Sequence, residues 1–253
     1  MKKLSDSPTP RREFIGQIAA SAIVLAGTAC APATVAQSTA PGPATPTPAP
    51  AGERIAPTTQ WDDSWFGRLT AKHKAVFDSP DFAEGMILGP GHATRYINGM
   101  HDALGASPAE VQTVVVIRHK AIPFAFNDAM WAKYEIGKEL KIKGDGDQWA
   151  TRNPFSAPRQ GRGGNGGGER PPSNNDRPQG NALWLSTHGH ILLGCDLATQ
   201  GYAGTLASQT KGSMKAIYEE LKANLVPGLI LQPNGIYATM RAQEAGCAFM
   251  RST

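Results

Sequence analysis

Apolar residues fall into five short continuous runs, and the stretches between them carry helical spacing. "HKAVFD" (His73 to Asp78), "VQTVVVI" (Val111 to Ile117), "HILLG" (His190 to Gly194), "GLILQ" (Gly228 to Gln232) and "CAFM" (Cys247 to Met250) read as strands. Runs that do not alternate suit strands covered on both faces. Between them, Ala93, Tyr96, Ile97, Met100 and Leu104 share one helical face, as do Phe126, Met130, Tyr134 and Gly137. Met214, Ile217, Leu221 and Leu225 make a third face, and "GIYATMRAQEAG" ends with Gly246 placed just past a helix. Strands alternating with helices predict a three-layer α/β domain with a mainly parallel five-stranded sheet and right-handed crossovers. The strand order is not legible in the pattern.

Two segments break it. "SPTPRREFIGQIAASAIVLAGTAC" sets Arg11 and Arg12 ahead of an apolar run from Ile18 to Ala29 that is too short for a comfortable membrane span. Residues 1–36 therefore resemble a twin-arginine signal, which implies export, with a periplasmic destination and no transmembrane domain in the mature protein. Cleavage after Ala36 is favoured over lipidation at Cys30, because Gly27 stands where a lipobox prefers leucine. Residues 37–60, with "APGPATPTPAPAGERIAPTT", read as an extended Pro/Thr/Ala-rich linker, leaving 61–253 as the domain. Within it, "SAPRQGRGGNGGGERPPSNNDRPQG" (Ser156 to Gly180) reads as a solvated Gly/Arg/Pro insertion.

The charge changes little. The chain of 253 residues has a net charge of +4. Residues 1–36 carry a surplus of two positive charges and residues 152–177 a surplus of three, so the rest is slightly acidic. No clustered cationic face with interleaved aromatics is visible, which argues against nucleic acid as a partner. The sequence also has no GxGxxG after a strand, no P-loop and no GxSxG elbow, so no cofactor is expected.

Three stretches together carry a resemblance: "NDAMWAKYEIGKEL" (Asn127 to Leu140), "GHILLGCDLAT" (Gly189 to Thr199) and "NLVPGLILQPNGIYATMRAQEAGCAFM" (Asn224 to Met250). They resemble the DsrE/DsrF-like sulfur-relay family over roughly His73 to Met250, the insertion aside. The resemblance implies a Rossmann-like domain that forms homo-oligomers. In the sulfur-handling members a cysteine in the region of Cys195 carries a persulfide, which implies a sulfur-donor or sulfur-acceptor protein as partner.

The residues themselves also point to Cys195, which closes one expected strand where a helix starts. Free N–H groups and the positive end of a helix dipole gather at such ends, and a thiolate is the form that attacks sulfane sulfur or a disulfide. Asp196, read as a helix N-cap, would compete for the same N–H groups. His119 and Lys120 follow the second strand, and Asn234 follows the fourth, so all three belong to the same sheet edge and form a candidate rim around the thiol. The competing reading makes Cys195 a small buried hydrophobe in a binding or assembly module that keeps the fold without the chemistry. Cys247 opens a strand, so a Cys195–Cys247 disulfide is not expected in a parallel sheet. His188 and His190 offer a weaker metal reading, but His190 begins the strand whose far end bears Cys195, and no metal-ligand spacing supports it.

Overall fold

Alternate residues of the central strands feed two separate cores, which explains why the apolar runs are continuous. In the computed structural model, which describes residues 60–144, 146–156 and 178–253, Val76, Val114, Val116, Ile191 and Leu193 face one side of the sheet. Phe77, Val115, Ile117 and Leu192 face the other. The signal-like segment, the proline-rich stretch and most of the Gly/Arg/Pro insertion lie outside the described residues.

The strands are β1 (His73–Ser79), β2 (Val111–Ile117), β3 (Ile191–Cys195), β4 (Leu229–Gln232) and β5 (Ala248–Arg251). They form one sheet in the order β4-β3-β2-β1-β5, and every neighbouring pair is parallel. The helices are α1 (Ser64–Gly67), α2 (Gly89–Leu104), α3 (Asp128–Lys133), α4 (Ile136–Glu139), α5 (Ala182–Thr187), α6 (Asp196–Thr210), α7 (Met214–Ala223) and α8 (Gly235–Glu244). A 3-10 segment, His119–Ala125, follows β2. The fold is thus a three-layer, Rossmann-like α/β domain. Among the described residues, no helix is long and apolar enough to cross a membrane.

The first four strands step across the sheet in one direction, and right-handed crossovers put α2, α6 and α7 on a single face. The return from β4 to β5 puts α8 on the opposite face, where Ala238 and Ala242 pack with Trp65 of α1. The chain therefore leaves β3 for one face and β4 for the other. Their carboxyl ends make a topological switch point, the place where open parallel sheets bind ligands.

One sequence expectation is corrected. Phe126, Met130, Tyr134 and Gly137 do not share a continuous helix, because α3 and α4 are separated by Glu135 in the left-handed region at φ 49°. Tertiary docking accounts for the break: a Cβ on Gly137 would lie 2.1 Å from the carbonyl oxygen of Ala150, so the backbone of α4 is drawn against that segment. Gly246, at φ 85°, follows the last turn of α8 as its spacing predicts.

Candidate functional site

Strand β3 runs into α6 with no residue between them, so Cys195 ends the strand and caps the helix at once. Its Sγ accepts a hydrogen bond from the Ala198 N–H at 3.3 Å. The expectation that Asp196 caps this helix is therefore corrected. Asp196 is the first helical residue, and its buried carboxylate accepts from the Tyr218 hydroxyl and the Gln200 amide, each at 2.7 Å. Directed inward in this way, it leaves the Ala198 N–H to the sulfur.

Strand register sets the neighbours. Cys195 pairs with Gln232 of β4, and Ile117 pairs with Gly194, so the next residue along β2, Arg118, stands beside Cys195. The Arg118 guanidinium forms a two-point contact with Asp78 at the end of β1, with Nε–Oδ1 2.6 Å and Nη2–Oδ2 2.7 Å. That hydrogen bonding holds Arg118 above its ordinary pKa, with smaller contributions from the charges of Asp78 and of an ionised Cys195. Gly235, the first residue of α8, makes room for this side chain: a Cβ there would lie 2.4 Å from Cδ and 2.6 Å from Cβ of Arg118. Asn234 caps α8 by accepting from the Tyr237 N–H at 2.9 Å.

His119 and Lys120 do lie at this edge, one turn beyond β2, but both are exposed, and Lys120 pairs with Asp81 at 3.4 Å. The cation nearest the sulfur in the register is Arg118. Sequence reasoning passed over it, although Asp78 and Arg118 end and follow two strands already assigned to the same edge.

The thiol is covered. Cys195 is 6% exposed and belongs to the larger core, and the Leu197 N–H donates to the Pro233 carbonyl at 3.3 Å, tying the two turns of the switch point together. Leu197 and Ile236, in the first turns of α6 and α8, are about two-thirds exposed on either side of that tie. Gln232, fully buried, has an Oε1 with no hydrogen-bond partner.

The other candidates separate from this site. Cys195 and Cys247 are both free. Cys247 precedes β5 in the smaller core, where burial pushes its thiol up to about 11. His190 sits before β3 at the amino edge of the sheet, where its Nδ1 accepts from the Thr113 N–H at 3.2 Å. His188 stacks on Trp184 at 4.1 Å. Among the described residues, no group of three His, Cys, Asp or Glu side chains could hold a metal ion.

The fold and this edge define an all-parallel α/β protein with a helix-capping cysteine at its switch point. No family model, curated protein or solved structure matches the chain.

Proposed function

We propose that the chain is a DsrE-like carrier of sulfane sulfur, acting after export, with Cys195 as the acceptor. The observation that carries this reading is the setting of the sulfur: an N-cap position on a fifteen-residue helix, an N–H bond to Sγ, and the Arg118–Asp78 pair alongside. The thiolate attacks the outer sulfur of a persulfide donor, the donor's S–S bond breaks, and the donor thiolate leaves, so that Cys195 holds the persulfide with no net redox change. The charge that the Cys195 sulfur carries into the attack meets the Ala198 N–H, the N-terminal end of α6 and the Arg118 guanidinium. The covered resting thiol limits exchange to encounters that part the Leu197–Pro233 tie, which favours a donor docked at this end over bulk reagents.

Polysulfide treatment of the full chain carrying Cys30→Ser, so that Cys195 and Cys247 are its only thiols, followed by intact-mass analysis tests the proposal. One or more added sulfurs on that parent, absent from its Cys195→Ala variant, are expected; equal loading of the two proteins rejects it. Loading of Arg118→Met is expected to slow by about tenfold or more, the scale of one lost electrostatic contact to the attacking thiolate.

The 6% exposure favours a second reading, an assembly or binding module in which Cys195 only packs. It predicts that Cys195 reacts with iodoacetamide no faster than Cys247, and only on unfolding.

A further inference from the structure

The two edges of the sheet are finished differently. At β4, Leu229 and Gln232 are buried, and the Gln232 amide donates to the Asp62 carbonyl at 2.9 Å, so the segment leading into α1 lies against that edge. At β5 all four residues are exposed, Phe249 at 48% and Met250 at 45%. β5 pairs with β1 alone, in unbroken register, and carries no proline, lysine or bulge that would close the edge to another strand.

The register decides which groups point outward. The Ser252 N–H donates to the Asp78 carbonyl at 2.7 Å, and main-chain groups alternate sides along a strand. Ala248, Met250 and Ser252 therefore turn their N–H and C=O groups to β1, while Phe249 and Arg251 turn theirs to the open side. Side chains alternate between the faces of the sheet. Phe249 and Arg251 align with Val76 and Asp78 on the α8 face. Met250 aligns with Phe77 on the α2 face, where the Phe77 ring packs on Tyr96 at 6.0 Å.

A second β5 running the opposite way fits this pattern in one register. Opposed residues share a face, so the two-fold axis passes through a residue and not between two. An axis through Arg251 sets like charges against each other. An axis through Phe249 sets Arg251 against Cys247, whose N–H is already given to the Ala242 carbonyl at 3.1 Å. An axis through Met250 sets Phe249 against the copy's Arg251, and the outward N–H and C=O groups of both then find partners. It also lays each guanidinium beside an aromatic ring and Met250 against Met250, pairings that stabilise neighbouring strands.

We propose that β5 is a self-association edge, through which two copies of the chain join their sheets antiparallel about a two-fold axis at Met250. The fit commits the edge to a second copy, because the aromatic residue and the cation that meet stand two positions apart on the same strand. A seam of four residues a side is small beside the roughly 1,200 Å² of a stable interface, so the dimer is weak, with a Kd on the order of 10 µM. Cys195, on β3, takes no part in it.

The test is sedimentation velocity of the full chain carrying Cys30→Ser, from about 1 to 200 µM, a range that brackets this Kd. A reversible monomer–dimer equilibrium is expected. Met250→Lys, which sets two ammonium groups against each other on the axis, is expected to raise Kd by about tenfold or more. Oxidation with copper phenanthroline reads the register. Opposed residues that turn their main chain away from each other have Cα atoms about 4.5 Å apart, within disulfide reach, so Met250→Cys is expected to form a covalent dimer on a non-reducing gel. Phe249→Cys and Arg251→Cys, each offset from its own copy, are expected to stay monomeric there. A parent chain that is monomeric throughout overturns the proposal, as does a Kd unchanged in Met250→Lys or cross-linking that runs faster through Phe249→Cys. A monomer whose Phe249 and Arg251 amides resist hydrogen exchange would place another segment of the same chain on this edge, and would overturn it too. Sulfur loading is a separate result, since Cys195→Ala is expected to dimerise with the parent's Kd.

Discussion

His190 shows how one buried side chain sets a solution property. Its ring is 6% exposed, stacks near Trp184 at 5.4 Å, and accepts from the Thr113 N–H, so the site is built for the neutral form. Burial, with a smaller contribution from His188, lowers its pKa to about 4. The unfolded chain binds that proton near 6.5, so between about pH 6.5 and 4 the unfolded state holds more protons and stability falls as pH falls. The full loss is about 3 kcal/mol, reached once the pH is below the folded value. Urea unfolding of the wild type and of His190→Gln from pH 7.5 to 4 checks this. The variant is expected to start less stable and to lose less on acidification, and parallel curves would remove His190 as the cause. Cys247 gives the opposite case of a titrating group kept silent: with its thiol pushed up to about 11, it is expected to stay unalkylated at pH 8 in the folded protein.

At the scale of elements, the sequence revealed most where burial imposes a period. The five apolar runs became β1 to β5 with ends displaced by a residue at most. Burial on both faces explains this for β1, β2 and β3, whereas the edge strand β5 has all four residues exposed, a departure from the expectation of strands covered on both faces. Elements defined by tertiary contact were not legible: α5 has only six residues, and the break at Glu135 comes from the approach of Gly137 to Ala150. The candidate site was legible in its placement and not in its wiring. Cys195, His119, Lys120 and Asn234 all occupy the expected edge, yet which cation reaches the sulfur depends on register and on Gly235, which no periodicity encodes. Two glycine substitutions separate these effects. Gly235→Ala drives a Cβ into the inner carbons of Arg118, which cannot swing away, so a destabilisation of about 1–3 kcal/mol and slower persulfide loading are expected. Gly201→Ala, within α6 and with nothing near the added carbon, is expected to raise stability by about 0.5–1 kcal/mol. Chemical denaturation of the two variants is the check, and a shift of the same sign in both would contradict the assignment.

The α/β domain is asymmetric in a way that bears on the site. One face of the sheet carries α2, α6, α7 and the 3-10 segment over a large core, while the other is covered chiefly by α8 and the short α1 around a smaller one. Trp65, fully buried, is the largest side chain of that smaller core, and its Nε1 has no hydrogen-bond partner. The thin layer also begins at Asn234 and Gly235, the turn that holds Arg118 against Asp78. Its packing and the order of the thiol end are therefore linked. Trp65→Ala is expected to cost about 3–5 kcal/mol, enough to lower Tm by on the order of 10 °C in a domain of this size. Trp65→Phe keeps most of the volume and removes the unmatched donor, so its cost is expected to stay below about 2 kcal/mol. The coupling has its own readout: at a temperature where both proteins are folded, Cys195 of Trp65→Ala is expected to alkylate faster than in the wild type, because loosening α8 frees the Leu197–Pro233 tie. An unchanged Cys195 rate with the lowered Tm would show that the thin layer stabilises the sheet without guarding the sulfur.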